Sequence, residues 1–169
     1  MWCKYGDPTR RLLGSFYVNA TGLFHDRARD RDLCNVNNLV GRRLTRADSA
    51  SHNYNTNAYR EWSGGDTTRC NFVVSVPEYN SSLTANILWL NTSSAAAGIF
   101  RIGYDGASVL LLQVGRCDVP VAGVSFPAGE SCMHMPAVGR HYYCLVEHGL
   151  GNGGTNTWQI GGLTGSIPG

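Results

Sequence analysis

The sequence predicts an all-β fold: an antiparallel β-sandwich of about eight to ten strands, arranged as a jelly roll. Three observations predict it. Leu83, Ala85, Ile87 and Trp89 alternate with Thr84, Asn86 and Leu88, the period of two expected of a strand with one face buried. The joints between apolar runs are rich in Gly, Asn, Ser and Thr, with 21 glycines in 169 residues. No stretch sustains the 3.6-residue period of an amphipathic helix.

Taken in order, residues 1–8 form a short lead ending in Asp7-Pro8. Arg11–Val18 and Leu23–His25 read as a hairpin turned by Asn19-Ala20-Thr21-Gly22. Asp26–Asp32 alternates in sign, as a solvated loop or edge strand does, or as a ladder of ion pairs between subunits. Leu33–Val40 and Arg42–Leu44 are strand-like, with Gly41 a bulge, and Arg42, Arg43 and Arg46 make the one basic cluster. Ala47–Asn57 is an Asn-rich loop or irregular strand. Phe72–Val76 is β-branched and aromatic and stops at Pro77, which cannot donate to a ladder.

After the alternating run comes a strand from Ile99 to Tyr104, and Asp105-Gly106 turns it back into Ser108–Val114. Val109–Leu112 is apolar on both faces, which predicts burial in the sandwich or at a subunit contact. Pro120–Glu130 reads as short extended pieces and turns. In Arg140–His148, residues His141, Tyr143, Leu145 and Glu147 share one face and Tyr142, Cys144 and Val146 the other. Thr157–Ile160 is the last strand, and Gly161–Gly169 leaves as a Gly-rich tail. Residues 1–169 are expected to form a single domain.

Charge and composition narrow the function. A net charge of +2 is too small for a nucleic-acid binder. No apolar run approaches the roughly 18 residues that span a membrane, and Met1–Tyr5 lacks the apolar core of an export signal. The six cysteines are therefore expected as free, mostly buried thiols, although their even count also allows disulfides. No Cys-x-x-Cys spacing is present, so no zinc site and no cofactor is predicted.

No reaction is predicted either. His141 and His148 fall on opposite faces of one strand, and no Gly-x-Ser-x-Gly elbow occurs. Cys144 beside Glu147 and His148 reads as a core cysteine rather than a thiol site. A glycosidase pair such as Glu61 and Glu78 is neither favoured nor ruled out by position. For ligand binding the candidates are Tyr59, Trp62, Asn152, Asn156 and Trp158, aromatic and amide side chains near polar turns, with Ala47–Asn57 and Gly149–Asn156 as the contact loops. The alternative for Trp62 and Trp158 is that they cap the ends of the sandwich.

Several pieces resemble one family. Thr9-Arg10-Arg11-Leu12-Leu13-Gly14 with Asn19–Phe24, Tyr59–Trp62, Cys70–Val74, Arg101–Asp105, Val138–Gly149, Thr157-Trp158 and Gly162–Gly169 are similar, in order and spacing, to the C-terminal head domains of tailed-bacteriophage tail-fibre and virion-surface proteins. The resemblance implies a jelly-roll head that forms a homotrimer on the virion, assembles in the host cytoplasm beside other virion proteins, and contacts a host-surface glycan or receptor. It carries no catalytic motif. Such heads usually follow a fibrous stalk; here Met1 directly precedes the domain, so the expectation is that a partner supplies attachment or that the stalk is absent. Burying Val109–Val114 and Tyr142–Val146 partly between subunits would account for the low charge. The alternative function is a non-catalytic carbohydrate-binding module.

Overall fold

The computed structural model describes residues 15–16, 18, 20–22, 26–27, 30–31, 33–34, 41–74, 80–91, 97–111, 115–118, 123–151 and 154–167. Among them the strands are β1 (Ser15–Phe16), β2 (Asp26–Arg27), β3 (Asp30–Arg31), β4 (Leu33–Cys34), β5 (Arg42–Asp48), β6 (His52–Asn53), β7 (Tyr59–Glu61), β8 (Cys70–Val74), β9 (Ser81–Asn91), β10 (Ala97–Tyr104), β11 (Gly115–Asp118), β12 (Val124–His134), β13 (Gly139–Gly149) and β14 (Asn156–Ile167). One 3-10 turn, Trp62–Gly64, accompanies them, and no α-helix occurs among the described residues.

Two sheets form a β-sandwich. One runs β12-β9-β14-β5, with β6 also on β14; the other runs β11-β10-β13-β8-β3-β2, with β7 also on β13. The pairing is nested: β5 pairs with β14, β8 with β13, β9 with β12 and β10 with β11, all antiparallel. The chain is thus a long hairpin folded over itself, four strands out and four back, shared between two layers. The sheets are antiparallel except where β3 joins β8 in parallel.

Alternation explains the core. Leu83, Ala85, Ile87 and Trp89 are all buried, as the period of two requires, while Asn86 on the other face is exposed. From the opposite sheet Phe72, Phe100, Ile102, Tyr143 and Leu145 meet them. Phe72 stacks on Tyr143 at 4.7 Å, and Trp62 and Trp89 flank Trp158 at 5.7 and 6.4 Å. β13 is the axis of its sheet: β10 covers one edge, while β7 and then β8 cover the other. Between β7 and β8 the chain leaves that edge at residues 62–69. Leu145 N–H lies in the gap and donates instead to Thr68 Oγ1 at 3.1 Å, so the buried donor is satisfied by a side chain.

The structure revises several boundaries. Pro120–Glu130 was expected as short pieces, but β12 is one continuous edge strand, with Pro127 tolerated because it lies at the rim of the sheet. The expected tail from Gly161 is instead strand as far as Ile167. A Cβ at Gly161 would sit 2.5 Å from Trp62 and 2.7 Å from Leu145, so glycine there marks close sheet packing rather than a chain end. A bulge between Trp158 and Ile160 turns Trp158 inward and leaves Ile160 exposed.

β1 pairs with β4; the expected partner, Leu23–His25, lies outside the described residues, as do Ser75–Val76 and Pro77. Of the alternating stretch, β2 and β3 pair antiparallel at the rim of their sheet, Asp26 opposite Arg31 and Arg27 opposite Asp30 along the main chain, while residues 28, 29 and 32 lie outside the described residues. Asp105, at φ 54°, and Gly106, at φ 134°, make the predicted turn. Of the expected return strand Ser108–Val114, Leu110 bridges Gly103, Leu111 is buried and Val109 is 50% exposed, while residues 112–114 lie outside the described residues.

Candidate functional site

The most unusual side chain in the described structure is Glu147, a carboxylate on the core face of β13 with no solvent exposure. An uncompensated charge at such a depth is prohibitively costly, so its partners are decisive. Oε2 accepts from His52 Nε2 at 2.6 Å, and Oε1 accepts from Arg60 Nε at 2.7 Å and from the main-chain N–H of Ser63 at 3.1 Å. The bond to a carboxylate requires the His52 proton on Nε2. Arg60 lies 3.8 Å above the Tyr54 ring, and His52 meets Trp62 edge-on at 5.0 Å. Ser63 takes φ 59° to bring its N–H to the carboxylate. Both oxygens are engaged, which makes the cluster a staple joining the Asn-rich loop, the 62–69 excursion and β13.

That staple anchors one end of the sandwich. Residues 53–56 are tied to Gly149, Asn156 and Thr157: Gly149 N–H to Thr56 O at 3.1 Å, Asn156 N–H to Asn55 Oδ1 at 2.7 Å, Tyr54 N–H to Asn156 O at 3.2 Å and Thr157 Oγ1 to Asn53 Oδ1 at 2.7 Å. The two expected contact loops are therefore neighbours. Their side chains also carry structure, contrary to expectation: Asn156 is buried and donates through Nδ2 to Ala97 O at 2.9 Å. Asn53, Asn55, Thr56 and Asn57 are exposed and form a polar rim.

The outer face of the β13 sheet carries a second polar layer. Arg69 grips Glu61 with two bonds, 2.5 and 2.9 Å, Tyr142 OH donates to Glu61 at 3.0 Å, and Arg69 lies 4.7 Å over the Tyr142 ring. Burial, reinforced by Glu61, pushes the Tyr142 phenol up to about 12. Two residues along β7 from Glu61, on the same face, Tyr59 contacts His148 at 4.3 Å, with Arg101 5.3 Å over the same Tyr59 ring.

A third group lies at the opposite end. His141 Nδ1 bonds Asp105 at 2.6 Å and stacks on Tyr104 at 4.8 Å, while His134 Nδ1 meets Tyr143 OH at 2.9 Å. Burial, with His141 nearby, holds His134 below the usual imidazole range.

Of the five predicted ligand residues, Trp62 and Trp158 have no exposed surface, so neither presents a ring face to a sugar. Both belong to the core: Trp62 from the 3-10 turn and Trp158 from β14 bury their rings against each other. Asn156 is structural, Tyr59 is half-buried on the outer face, and Asn152 lies outside the described residues. Glu61 is held by Arg69, and Glu78 lies outside the described residues. Arg42 and Arg43 each have a partner, and Arg46 Nε donates to Thr67 O.

Cys70, Cys132 and Cys144 are in no disulfide, and burial drives the Cys144 thiol far above the ordinary range. Among the described residues no three His, Cys, Asp or Glu side chains converge as metal ligands, and no helix is long and apolar enough to cross a membrane. The role of Glu147 was missed, although the alternation had already placed it on the face shared by Tyr143 and Leu145. A carboxylate at a core position is the signal that could have found it. Comparison with protein-family models and with curated proteins yields no match to this chain.

Proposed function

We propose that this chain is a non-enzymatic structural domain of a bacteriophage virion, a jelly-roll head that forms a homotrimer on the particle and contacts the host surface. The observation that carries the reading is the nested pairing of β5 with β14, β8 with β13, β9 with β12 and β10 with β11. Two Greek keys folded this way make the jelly roll of viral capsid and lectin domains. The family resemblance supplies the virion and the threefold association. Exposed apolar side chains support association: Met133, Met135, Val138 and Val109 are 50–72% exposed. Tyr104 connects their segments, since its OH accepts from Ala137 N–H and its N–H donates to Val109 O. Host contact is assigned to the rim of Asn53, Asn55, Thr56 and Asn57, amide and hydroxyl groups held on a stapled and therefore preorganised end.

The test is the mass in solution. Light scattering on the purified chain at micromolar concentration should give three times the monomer mass, and Met133→Asp with Val138→Asp should lower it without unfolding the protein. A stable monomer would remove the trimeric head. Since lectins share this topology, a carbohydrate-binding module remains the second reading, with the asparagine rim as its polar contact surface in place of the buried tryptophans.

A further inference from the structure

We infer that Arg101, His148 and Tyr59 form a binding site for a carboxylate, of the class carried by acidic sugars. The three residues lie on the outer face of the β13 sheet because the core face is taken by their neighbours. Phe100 and Ile102 flank Arg101 and point into the sandwich, as does Glu147 beside His148. Register brings the three together: Tyr59 stands opposite His148, and Arg101, opposite Val146, is the diagonal neighbour of His148 across the β10–β13 ladder. Both basic groups then rest on one ring, the His148 imidazole 4.3 Å from the Tyr59 centroid and the Arg101 guanidinium carbon 5.3 Å from it.

What marks the group as a site is its unfilled bonding. Arg101 Nε is buried without a hydrogen-bond partner, and His148 Nδ1 has none outside its own residue, although His148 is only 7% exposed. No carboxylate among the described residues pairs with Arg101, whereas Arg60 and Arg69 each hold a glutamate. Burial, and then the Arg101 charge facing it, keeps the His148 imidazole below its usual range. A buried donor left unpaired costs roughly 1–3 kcal/mol, a cost that an arriving acceptor relieves. The ligand must therefore bring negative charge and planar oxygen acceptors. The edge of a guanidinium that includes Nε takes a carboxylate through two parallel bonds, and the His148 ring flanks that edge. Tyr59 provides the apolar wall between them.

The inference deepens the host-contact reading and rests on it for the source of the ligand, an acidic glycan. The experiment titrates the full chain with sodium glucuronate, glucose and sodium sulfate, following the His148 and Tyr59 resonances by NMR, with Arg101→Gln, Arg101→Lys and His148→Gln as variants. Glucuronate should give saturable shifts in the millimolar range and glucose none, with sulfate at least about fivefold weaker because it does not match the planar fork. Arg101→Gln should weaken glucuronate about tenfold or more with the melting temperature unchanged or raised, and Arg101→Lys should restore little. The inference is overturned if glucuronate produces no saturable shift, if glucose or sulfate matches it, or if Arg101→Gln binds as the parent does. The oligomeric state, measured on the same sample, keeps the two readings separate. A monomer that binds glucuronate removes the trimeric head alone, and a trimer blind to glucuronate removes this site alone.

Discussion

Glu147 and His52, 95 positions apart in the chain, meet at 2.6 Å with the carboxylate fully buried. The bond joins an irregular loop to the central strand of one sheet, and Arg60 and the Ser63 N–H complete the coordination of the same carboxylate. The loop is ordered by this contact rather than by strand propensity, since β6 within it has only two residues. A stable loop is what permits an exposed asparagine rim to present one geometry.

Glu147→Ala should therefore be among the most destabilising single changes. It strands Arg60 and His52 beside a cavity and frees the Ser63 N–H in a strained conformation. Loss of one member of a buried charged cluster costs about 3–5 kcal/mol, read from the urea midpoint. Arg60→Ala, at a side chain 34% exposed, should cost clearly less. If Glu147→Ala falls below about 1 kcal/mol, the staple is not what holds this end of the sandwich.

Gly161→Ala tests the packing of the two layers. Its Cβ would lie 2.5 Å from Trp62 Cε2 and 2.7 Å from Leu145 Cδ2, both on buried residues with little room to yield. Overpacking of this kind costs about 1–3 kcal/mol. Gly162→Ala is the control: the nearest atom to its Cβ is 3.8 Å away, an ordinary contact, so it should be nearly neutral. Equal melting temperatures for the two variants would contradict the described sheet contact.

The contrast between these glycines shows where sequence reasoning succeeds and where it stops. Strict alternation announced Leu83 to Trp89 as a half-buried strand, and Asp105-Gly106 announced a turn, because both signals are local. Glycine reads locally as a break, so the second half of β14 looked like a tail, yet the reason for Gly161 is a tryptophan 99 positions earlier. The same limit hid the partners of Glu147 and the role of Thr68 in bonding Leu145. Trp62 and Trp158 were misjudged because their polar neighbours describe the turn and the bulge, not the direction of the ring. Tyr59 was named as a ligand residue, but the basic groups beside it come from β10 and β13 and become visible only in register.

Acid should destabilise the fold through two histidines. His134 and His148 are held below the ordinary imidazole range, first by burial and then by His141 and Arg101 respectively. The unfolded chain therefore takes up these protons before the folded chain does. Their contribution is complete above the unfolded value near about 6.5 and is lost as pH falls from there through the lower folded values. His134 faces Tyr143, Tyr104, His141 and Asp105, so its variant must keep a polar contact to Tyr143. His134→Gln should flatten the fall of the urea midpoint between about pH 7 and 5.5, and His148→Gln should flatten it further. A midpoint that rises toward acid would reverse the assigned direction.

Thiol chemistry offers the last check, because it reports burial residue by residue. Cys70 and Cys144 have no exposed surface, and burial drives the Cys144 thiol far upward. Cys132 is half-buried on β12, where burial and then Glu130 raise its thiol to about 11. Only the thiolate reacts, so at pH 8 Cys132 should alkylate roughly a hundredfold more slowly than an ordinary thiol. Cys70 and Cys144 should alkylate only as the chain unfolds, so their rates should rise steeply with urea while that of Cys132 rises less. Iodoacetamide labelling followed by peptide mass spectrometry gives all three rates in one experiment. Rapid native labelling of Cys144 would mean that the outer face of β13 is open, and the covering of Gly103 and Cys144 by the main chain at Gly106 would then be wrong.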